Sequence, residues 1–207
     1  MYIPKHYAET DQEKLRQFIR DNGFGILFSH TGEEPMATHL PFVLDEKGGD
    51  RGVLLGHVAR ANPQWKRADN QRVLAVFLGP HAYVSPTWYR EPDTVPTWNY
   101  TAVHVYGVLR VVEDVPKVKE IISRITEYYE SFEPEPWRPD FTTDYARKML
   151  KGIVPFEIDI EEIQGKWKLN QNHPPYRRRR VADTLKRLPG QNAREIAELI
   201  EKGLREG

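Results

Sequence analysis

The sequence of 207 residues contains no cysteine. This absence excludes disulfide bonds, thiolate zinc sites and cysteine nucleophiles, and it fits a reducing compartment. No stretch approaches the roughly 18 apolar residues that a membrane-spanning helix needs. The N-terminal segment Met1–His6 lacks the apolar core of a signal peptide. We therefore expect a cytoplasmic protein without a membrane partner.

The sequence also lacks an excess of charge of either sign, since 30 Lys and Arg balance 30 Asp and Glu. A protein that holds duplex DNA over a large surface usually has a basic excess, because phosphate neutralisation dominates that affinity. The balance argues against a dedicated DNA-binding fold, although it leaves room for a local basic patch.

Signatures of several enzyme classes are missing as well. The sequence has no H-E-x-x-H, no G-x-S-x-G, no P-loop and no G-x-G-x-x-G with an acidic partner. The seven histidines show no metal-type spacing. Hydrolase, nucleotide-triphosphatase and Rossmann-type functions therefore lack support, and we assign neither a metal site nor a catalytic residue.

Short runs with strand character dominate the first half of the chain, each bounded by Gly, Pro, Asp or Asn. Apolar residues at helical spacing predict one helix over 11–22 and another from Asp114 onward. Many short strands with helices outside them fit a closed or nearly closed barrel better than a doubly wound sheet. We predict a mainly β fold with peripheral helices. The predicted strands are residues 24–29, 36–44, 53–58, 73–78, 100–112 and 156–161.

The chain changes character after Gln171. Pro174 and Pro175 interrupt it, and an amphipathic helix is predicted over 193–204. We expect a barrel domain over residues 1–172 and a helical extension over 173–207. Between these prolines and that helix stand Arg177, Arg178, Arg179 and Arg180. This run could contact nucleic-acid phosphates, or it could form a solvated helix face paired with the glutamates that follow.

Residues 56–66 run from a strand end into a predicted helix start. Asn62 suits an N-cap and Pro63 the first helical position. Free backbone N–H groups at such a start favour an anion, and Arg60 and Lys66 add positive charge. The segment is either a phosphate site for a cofactor or a capped helix with solvated surface charges.

Two further segments have functional and purely structural interpretations. Residues 83–100 hold two tryptophans and three tyrosines in chain that resembles loop more than strand. They could line a pocket for a flat ring system, form a subunit interface or fill a core beneath a loop. Residues 166–172 carry lysines and amides that could donate hydrogen bonds to carbonyl or phosphate oxygens, or could form only a turn before Pro174.

Six stretches, in this order along the chain, resemble the PaiB family of FMN-binding negative transcriptional regulators. Together they extend over nearly everything up to Asn172, whereas the tail from Pro174 matches poorly. The resemblance implies a split barrel related to pyridoxamine-phosphate oxidase and a homodimer with FMN at the subunit interface. It also implies a role in repressing sporulation and the production of degradative enzymes. The stretches are residues 1–4, 37–42, 56–65, 82–89, 96–100 and 168–172.

The resemblance also implies where FMN would lie, and it favours the phosphate interpretation of Arg60 and Asn62. One strand would follow the isoalloxazine or ribityl chain, a second group would hold the phosphate, and a third would close the site, partly from the second subunit. The strand residues are Thr38, His39, Leu40 and Pro41. The phosphate residues are His57, Arg60, Asn62 and Lys66. The closing residues are Trp88, Trp98, Asn99, Lys168, Asn170 and Gln171.

Three alternatives remain open at this stage. The chain could be a flavin-dependent oxidoreductase that affects gene expression indirectly, although no acid–base pair stands out. It could bind haem, as some split-barrel relatives do, with His57 or His173 as ligand. It could also bind DNA directly through the arginine run, which predicts a steeply salt-dependent interaction.

Overall fold

The computed structural model describes residues 1–30 and 34–206. In this part of the chain the strands are β1 (Ala8–Glu9), β2 (Phe24–His30), β3 (Pro35–Pro41), β4 (Val43–Asp45), β5 (Val53–Ala59), β6 (Gln71–Val84), β7 (Thr97–Val111) and β8 (Ile153–Lys168). The helices are α1 (Gln12–Asp21), α2 (Gln64–Ala68), α3 (Val115–Glu130), α4 (Asp144–Lys151), α5 (Pro175–Leu185) and α6 (Gln191–Arg205). Short 3-10 helices span Lys5–Tyr7 and Pro86–Tyr89.

The strands form one sheet in the order β3-β2-β6-β7-β8-β5-β4, and β1 pairs with β8. The pairings of β2 with β3 and β6, and of β5 with β4 and β8, are antiparallel. The register places His57 of β5 opposite Pro155 of β8. The predicted mainly β fold with outer helices is confirmed.

Most of the predicted elements are present. The helix predicted over 11–22 is α1, and the strand predicted over 36–44 is divided at Phe42 into β3 and β4. The helix predicted from Asp114 is α3, whose first turn is capped because the Asp114 carboxylate accepts the Lys117 N–H at 3.0 Å. The expected hairpin loop after Asp45 joins β4 to β5.

Several of the predicted strands are too short. The aromatic segment 83–100 lies mostly outside strands, as expected, but β6 continues to Val84 and β7 begins at Thr97. Trp98 and Asn99 therefore alternate between the faces of a strand. The strand predicted over 156–161 is also much longer, since β8 spans Ile153–Lys168.

The chain forms two compact units. The central unit comprises residues 16–77 and 104–163, and the terminal unit comprises 1–15, 78–103 and 164–207. In the central unit, the Phe42 ring contacts those of Phe77 and Phe156 edge-on, at centroid distances of 5.5 and 6.3 Å. Each ring is almost fully buried, and burial of such a side chain contributes about 1.5–3 kcal/mol.

Within the central unit the sheet curls, so that β3 approaches β5. A Cβ added to Gly56 of β5 would lie 3.1 Å from Leu40 Cδ1 of β3, although the two strands are not neighbours in the sheet. A larger residue than glycine would have to displace the Phe156 ring, whose Cζ lies 2.6 Å from the added Cβ, as well as the Leu40 side chain. The curl is the barrel-like feature that the sequence predicted.

Helix α3 covers part of the central sheet. Ile121 and Ile125 are buried against a cluster from β4 and β5. Tyr129, on the same apolar stripe, donates its hydroxyl to the Phe42 carbonyl oxygen at 3.0 Å. Burial raises the pKa of Tyr129 to about 12. The stripe thus fixes the helix by both apolar packing and a buried hydrogen bond.

The tail in the terminal unit is helical, as expected. Helices α5 and α6 pack through apolar side chains, and Gly203 of α6 lies close to the Arg178 guanidinium. The division into domains at residue 172 stays a prediction. In the described residues, no helix is long and apolar enough to cross a membrane. The buried residues of the helix pair are Val181, Ala182, Leu185, Ala193, Ile196, Ala197 and Ile200.

Candidate functional site

A buried glutamine organises the turn that leads into α2. The Asn62 carboxamide oxygen accepts the Gln64 backbone N–H at 2.9 Å, and its amide donates to the Thr38 hydroxyl at 2.9 Å. Thr38 in turn donates to the Gln64 side-chain oxygen at 2.6 Å. The Gln64 amide donates to the Leu27 carbonyl at 3.1 Å and the Ser29 hydroxyl at 3.0 Å. This Gln64 network ties α2 to β2 and β3.

Gln64 is fully buried, although no sequence pattern singles it out. The pattern Asn62-Pro63-Gln64 indicates a helix start, but α2 begins one residue later than predicted, with Pro63 instead of Asn62 as its N-cap. The interactions of the glutamine side chain with β2 cross more than 30 residues of sequence. A local pattern cannot show such a partner.

Arg60 is held by backbone carbonyls of the central unit. Its Nε donates to the Lys151 oxygen at 2.7 Å and an Nη to the Ile153 oxygen at 3.0 Å. The guanidinium carbon also lies 5.8 Å from the centroid of the Trp65 ring. Two of its donor groups are thus used, and the orientation of the side chain is fixed.

Lys66 is exposed and contacts the same tryptophan ring. Its ammonium lies 5.4 Å from the Trp65 ring centroid, and no ion pair to it is found among the described residues. Of the phosphate residues expected from the sequence, Lys66 keeps the most freely available charge. Asn62 is engaged in the Gln64 network through both of its polar atoms.

His57 lies half-buried on β5 in the same unit. Burial lowers the pKa of its imidazole, so the neutral form is favoured. Its Nδ1 is buried and has no hydrogen-bond partner among the described residues. A buried polar atom left unpaired costs free energy. His57 therefore keeps one unsatisfied donor or acceptor atom.

The strand expected to follow the flavin is β3, at one end of the sheet order. Thr38 is half-buried, Leu40 is buried and Pro41 is partly buried, whereas His39 is exposed. The His39 ring stacks near Phe24 of β2, with centroids 6.5 Å apart. The central unit brings this strand, the Gln64 network and Lys66 into one connected region.

In the terminal unit, an exposed aromatic group forms where β6 and β7 carry rings on one side. The Trp98 side chain is 53% exposed and Tyr83 is 45% exposed, which is unusual for such large apolar groups. The two rings meet edge-on with centroids 5.9 Å apart, and His81 lies 6.2 Å from Trp98. We call these three residues the aromatic patch.

The next residue on β7 points to the opposite side. Asn99 is fully buried, and both polar atoms of its carboxamide lack a partner among the described residues. The Thr101 hydroxyl, two residues farther along the same face, is also unpaired. Such a pair of orphaned groups is rare in folded proteins unless water or a bound group satisfies them.

Trp88 lies in the 3-10 helix Pro86–Tyr89, whose first turn is capped by the Ser85 hydroxyl. It borders an open cleft of about 640 Å³ against α5. Four cationic residues and one carboxylate, Asp183, line this cleft in the described part of the chain. The cations are Arg90, Arg180, Lys186 and Arg187.

The segment expected to close the site is largely bonded to its own surroundings. The Lys168 ammonium donates to the Thr97 hydroxyl at 2.6 Å, and the Asn170 amide donates to the Tyr89 hydroxyl at 2.9 Å. Gln171 closes a local turn by accepting the Leu169 N–H at 2.7 Å and donating to the Trp167 carbonyl at 2.6 Å. These contacts form the structural turn that the sequence left as an alternative.

The four side chains of the arginine run have three different environments. Arg177 and Arg180 donate to the Glu91 carboxylate at 2.5 and 2.9 Å, an arrangement we call the arginine clamp. The hydrogen bond from Arg177 lowers the pKa of Glu91. Arg178 has a buried Nε without a described partner, and burial lowers its pKa. Arg179 alone is exposed.

The predicted site residues thus fall into two sets. The strand and phosphate residues, Thr38 to Lys66, lie in the central unit, and the closing residues, Trp88 to Gln171, lie in the terminal unit. Each unit offers a different kind of chemistry. The central set combines a free ammonium with an unpaired imidazole nitrogen, whereas the terminal set combines exposed aromatic rings with a cationic cleft.

Solved structures with a similar fold include the flavocytochrome Anf3 from Azotobacter vinelandii. That match has a TM-score of 0.60 at 15% identity and covers 80% of this chain and 72% of that one. The FAD and heme binding protein from Mycobacterium smegmatis matches with a TM-score of 0.60 at 15% identity, over 78% and 73% of the two chains. Together with the curled sheet, these likenesses define the class: a split-barrel fold of the flavin-binding type. The predicted fold is confirmed.

Residues 1–162 match the family model described as "Putative FMN-binding domain", and the chain belongs to that family. It is 38% identical over 207 residues, covering 99% of each chain, to the protease synthase and sporulation protein PAI 2 of Bacillus subtilis. It is also 33% identical to an uncharacterized protein of Aspergillus fumigatus, over 98% of this chain and 97% of that one. The resemblance to the PaiB family and the expected flavin cofactor are confirmed.

Proposed function

We propose that this protein is an FMN-binding negative regulator of protease synthesis and sporulation. The observation that carries the proposal is the 38% identity to PAI 2 over almost the whole of both chains, in a chain whose FMN-binding domain covers residues 1–162. Tail residues are included in that match, so the proposal concerns the complete chain. The cytoplasmic location expected from the sequence remains a prediction.

The central unit supports a flavin nucleotide through residues that its own fold leaves uncommitted. The Lys66 ammonium is exposed and suits a phosphate group. The unpaired Nδ1 of His57 suits a polar atom of the ring system or the ribityl chain. Arg60 keeps N–H groups beyond those used by the Lys151 and Ile153 carbonyls. Bound FMN would supply the redox chemistry, and these residues would hold and orient it.

Binding of FMN is tested by following flavin fluorescence while the purified full chain is added. We expect saturable quenching and a markedly weaker affinity for Lys66→Glu. The matched control is Arg67→Glu, because Arg67 is an exposed neighbour on the same helix and carries the same charge. Equal weakening of FMN affinity by both variants would mean that Lys66 does not contact FMN. If the unaltered protein gives no saturable change in fluorescence, FMN binding is refuted.

We further propose that two copies associate through the aromatic patch of the terminal unit. Tyrosine and tryptophan are enriched in subunit interfaces, and exposed clusters of this kind mark binding surfaces. Sedimentation should give the mass of a dimer for the full chain and of a monomer for Trp98→Asp. Trp137→Asp is the control, since Trp137 is 60% exposed but lies in the central unit. A monomeric unaltered protein would refute this part.

Haem is a second candidate ligand, because His57 combines a lowered pKa with an unpaired ring nitrogen. A neutral imidazole is the form that binds a metal. The absorption spectrum of the protein as purified decides between the cofactors, since flavin and haem absorb in different bands. If a haem band is present and disappears in His57→Gln, haem would take the place of FMN in the proposal. A spectrum with flavin bands alone would exclude haem.

Direct DNA binding through the arginine run is disfavoured in this proposal. The arginine clamp uses two of the four side chains and Arg178 is partly buried, which leaves Arg179 as the exposed charge. The regulatory effect would then act through another route than phosphate contacts of this run. A salt-dependent mobility shift with duplex DNA that is lost in Arg179→Ala would contradict this view.

A further inference from the structure

The central unit contains a pocket that shares only Arg60 with the proposed flavin site. Its volume is about 460 Å³, which lies within the range of small-molecule sites. Its walls come from the end of β7, the first turns of α3, helix α4 and the start of β8. In the described part of the chain, nine of the fourteen residues that line it are apolar.

The apolar surface of this pocket is only partly covered by the protein. Val112, Val118 and Leu150 are each half-buried, and α4 contributes no fully buried residue. Exposed apolar surface in a concave site is favourable to cover with an apolar ligand, because its burial removes contacts with water. The body of the ligand is therefore apolar.

The charged residues of the lining are mostly cationic. They are Arg60, Lys119, Arg147 and Lys151, against one carboxylate from Glu113. Arg147 is neutralised by Asp144 at 2.5 Å. No ion pair to Lys119 or Lys151 is found among the described residues, and the Lys119 ammonium lies 5.9 Å from the Phe141 ring centroid. The remaining charge favours an anionic head group.

We propose that this pocket binds a small amphipathic carboxylate, whose apolar body packs on Val112, Val118 and Leu150 and whose carboxylate pairs with Lys151 and Lys119. Such a ligand would act as an effector of the regulator and would not be its flavin. The proposal goes beyond FMN binding, and it depends on neither the cofactor nor the association of two copies.

Displacement of dansyl-undecanoate from the full chain measures the affinity of competing ligands. Decanoate should displace it saturably and decanol only weakly, because the alcohol lacks the charge. Across carboxylates of increasing length, affinity should rise about fourfold per methylene until the pocket is full. Equal affinity for decanol and decanoate would mean that the cationic residues do not contribute to binding, and it would overturn the proposal.

Variants on α4 provide a matched pair. Lys151→Glu should weaken decanoate by about fivefold or more, whereas Lys148→Glu, the same change on the same helix but outside the lining, should leave it unchanged. Val118→Trp should abolish binding by filling the pocket. Equal effects of the two lysine variants would contradict the assignment, even where Val118→Trp does not fold.

Two further outcomes would overturn the proposal. Displacement of the probe by FMN would make the pocket part of the flavin site, whereas failure of FMN to bind anywhere would refute only the proposed function. A change in sedimentation mass for Lys151→Glu would mean that a second copy covers the pocket. Unchanged mass, together with retained FMN affinity in this variant, supports an independent effector site.

Discussion

The Gln64 network of the central unit and the arginine clamp of the terminal unit are both polar clusters built around one residue. They differ in burial. Gln64 is fully buried and bonds to groups on β2 and β3, whereas the Glu91 side chain is 25% exposed and its two arginines are 23% and 41% exposed. The arginine clamp is made of fully charged groups, but these groups remain in contact with water.

The comparison indicates that burial, and not formal charge, decides how much a polar cluster contributes to stability. A buried amide that loses its partner keeps the full desolvation cost, because water cannot replace the lost bond. An exposed ion pair exchanges its partner for water and salt at little cost. The neutral Gln64 network should therefore contribute more to the free energy of unfolding than the arginine clamp does.

Replacing Gln64 tests this comparison most strongly. Gln64→Met keeps the approximate volume but removes the bonds to Leu27, Ser29 and Thr38. We expect a loss of about 2–4 kcal/mol in the free energy of unfolding, since several buried groups become unpaired. Urea unfolding measures it. Gln12→Met, an exposed glutamine on α1, is the control, and a loss as small as that of the control would break the comparison.

The next largest expected effect is the pH dependence of stability that results from the burial of two histidines. Burial lowers the pKa of both His57 in the central unit and His173 in the terminal unit, and Arg177 lowers the second further. Below the ordinary value of 6.5 the unfolded chain takes up protons that the folded protein does not. Stability therefore falls as pH falls through this range toward the folded pKa.

We expect His57→Gln to remove part of this pH-dependent loss. His173→Gln should remove less, because the His173 ring, which stacks on Tyr89, is less buried. Urea unfolding between about pH 7.5 and pH 5.5 provides the measurement. A steeper pH dependence in His57→Gln than in the unaltered protein would reverse the assigned sign.

The elements that could be predicted from the sequence are those with a clear local pattern. Helices α1 and α3 and the hairpin between β4 and β5 follow from local apolar periodicity and turn residues. Both ends of α1 and the start of α3 lie within one residue of the prediction. Helix α4 was missed because it has only 8 residues, a stretch too short for helical periodicity to stand out, and it buries none of them. Helix α5 was obscured by its four arginines, although Val181 and Leu185 are buried on its inner face.

The strand ends at the aromatic segment were misjudged for a different reason. Gly79, Pro80 and Pro96 suggested loop, but pairing within the sheet extends β6 to Val84 and begins β7 at Thr97. Tertiary pairing overrides local propensity in strands more easily than in helices. Likewise, the role of Gln64 depends on partners far along the chain. The role proposed for His57 comes from the resemblance, whereas Lys66 is already a phosphate candidate from its place at a cationic helix start.

The arginine clamp should give the smallest effect. Glu91→Gln removes the charge from the contacts with Arg177 and Arg180 but keeps the shape of the side chain. Because the pKa of Glu91 is lowered, its contribution is present at neutral pH and is lost as pH falls through the folded value. We expect a loss of stability that is a small fraction of that of Gln64→Met and that vanishes at high salt. Urea unfolding at low and high salt measures it, with the exposed Glu198→Gln of α6 as control. A loss that persists at high salt would mean that water does not reach the clamp, and burial would then no longer separate the two clusters.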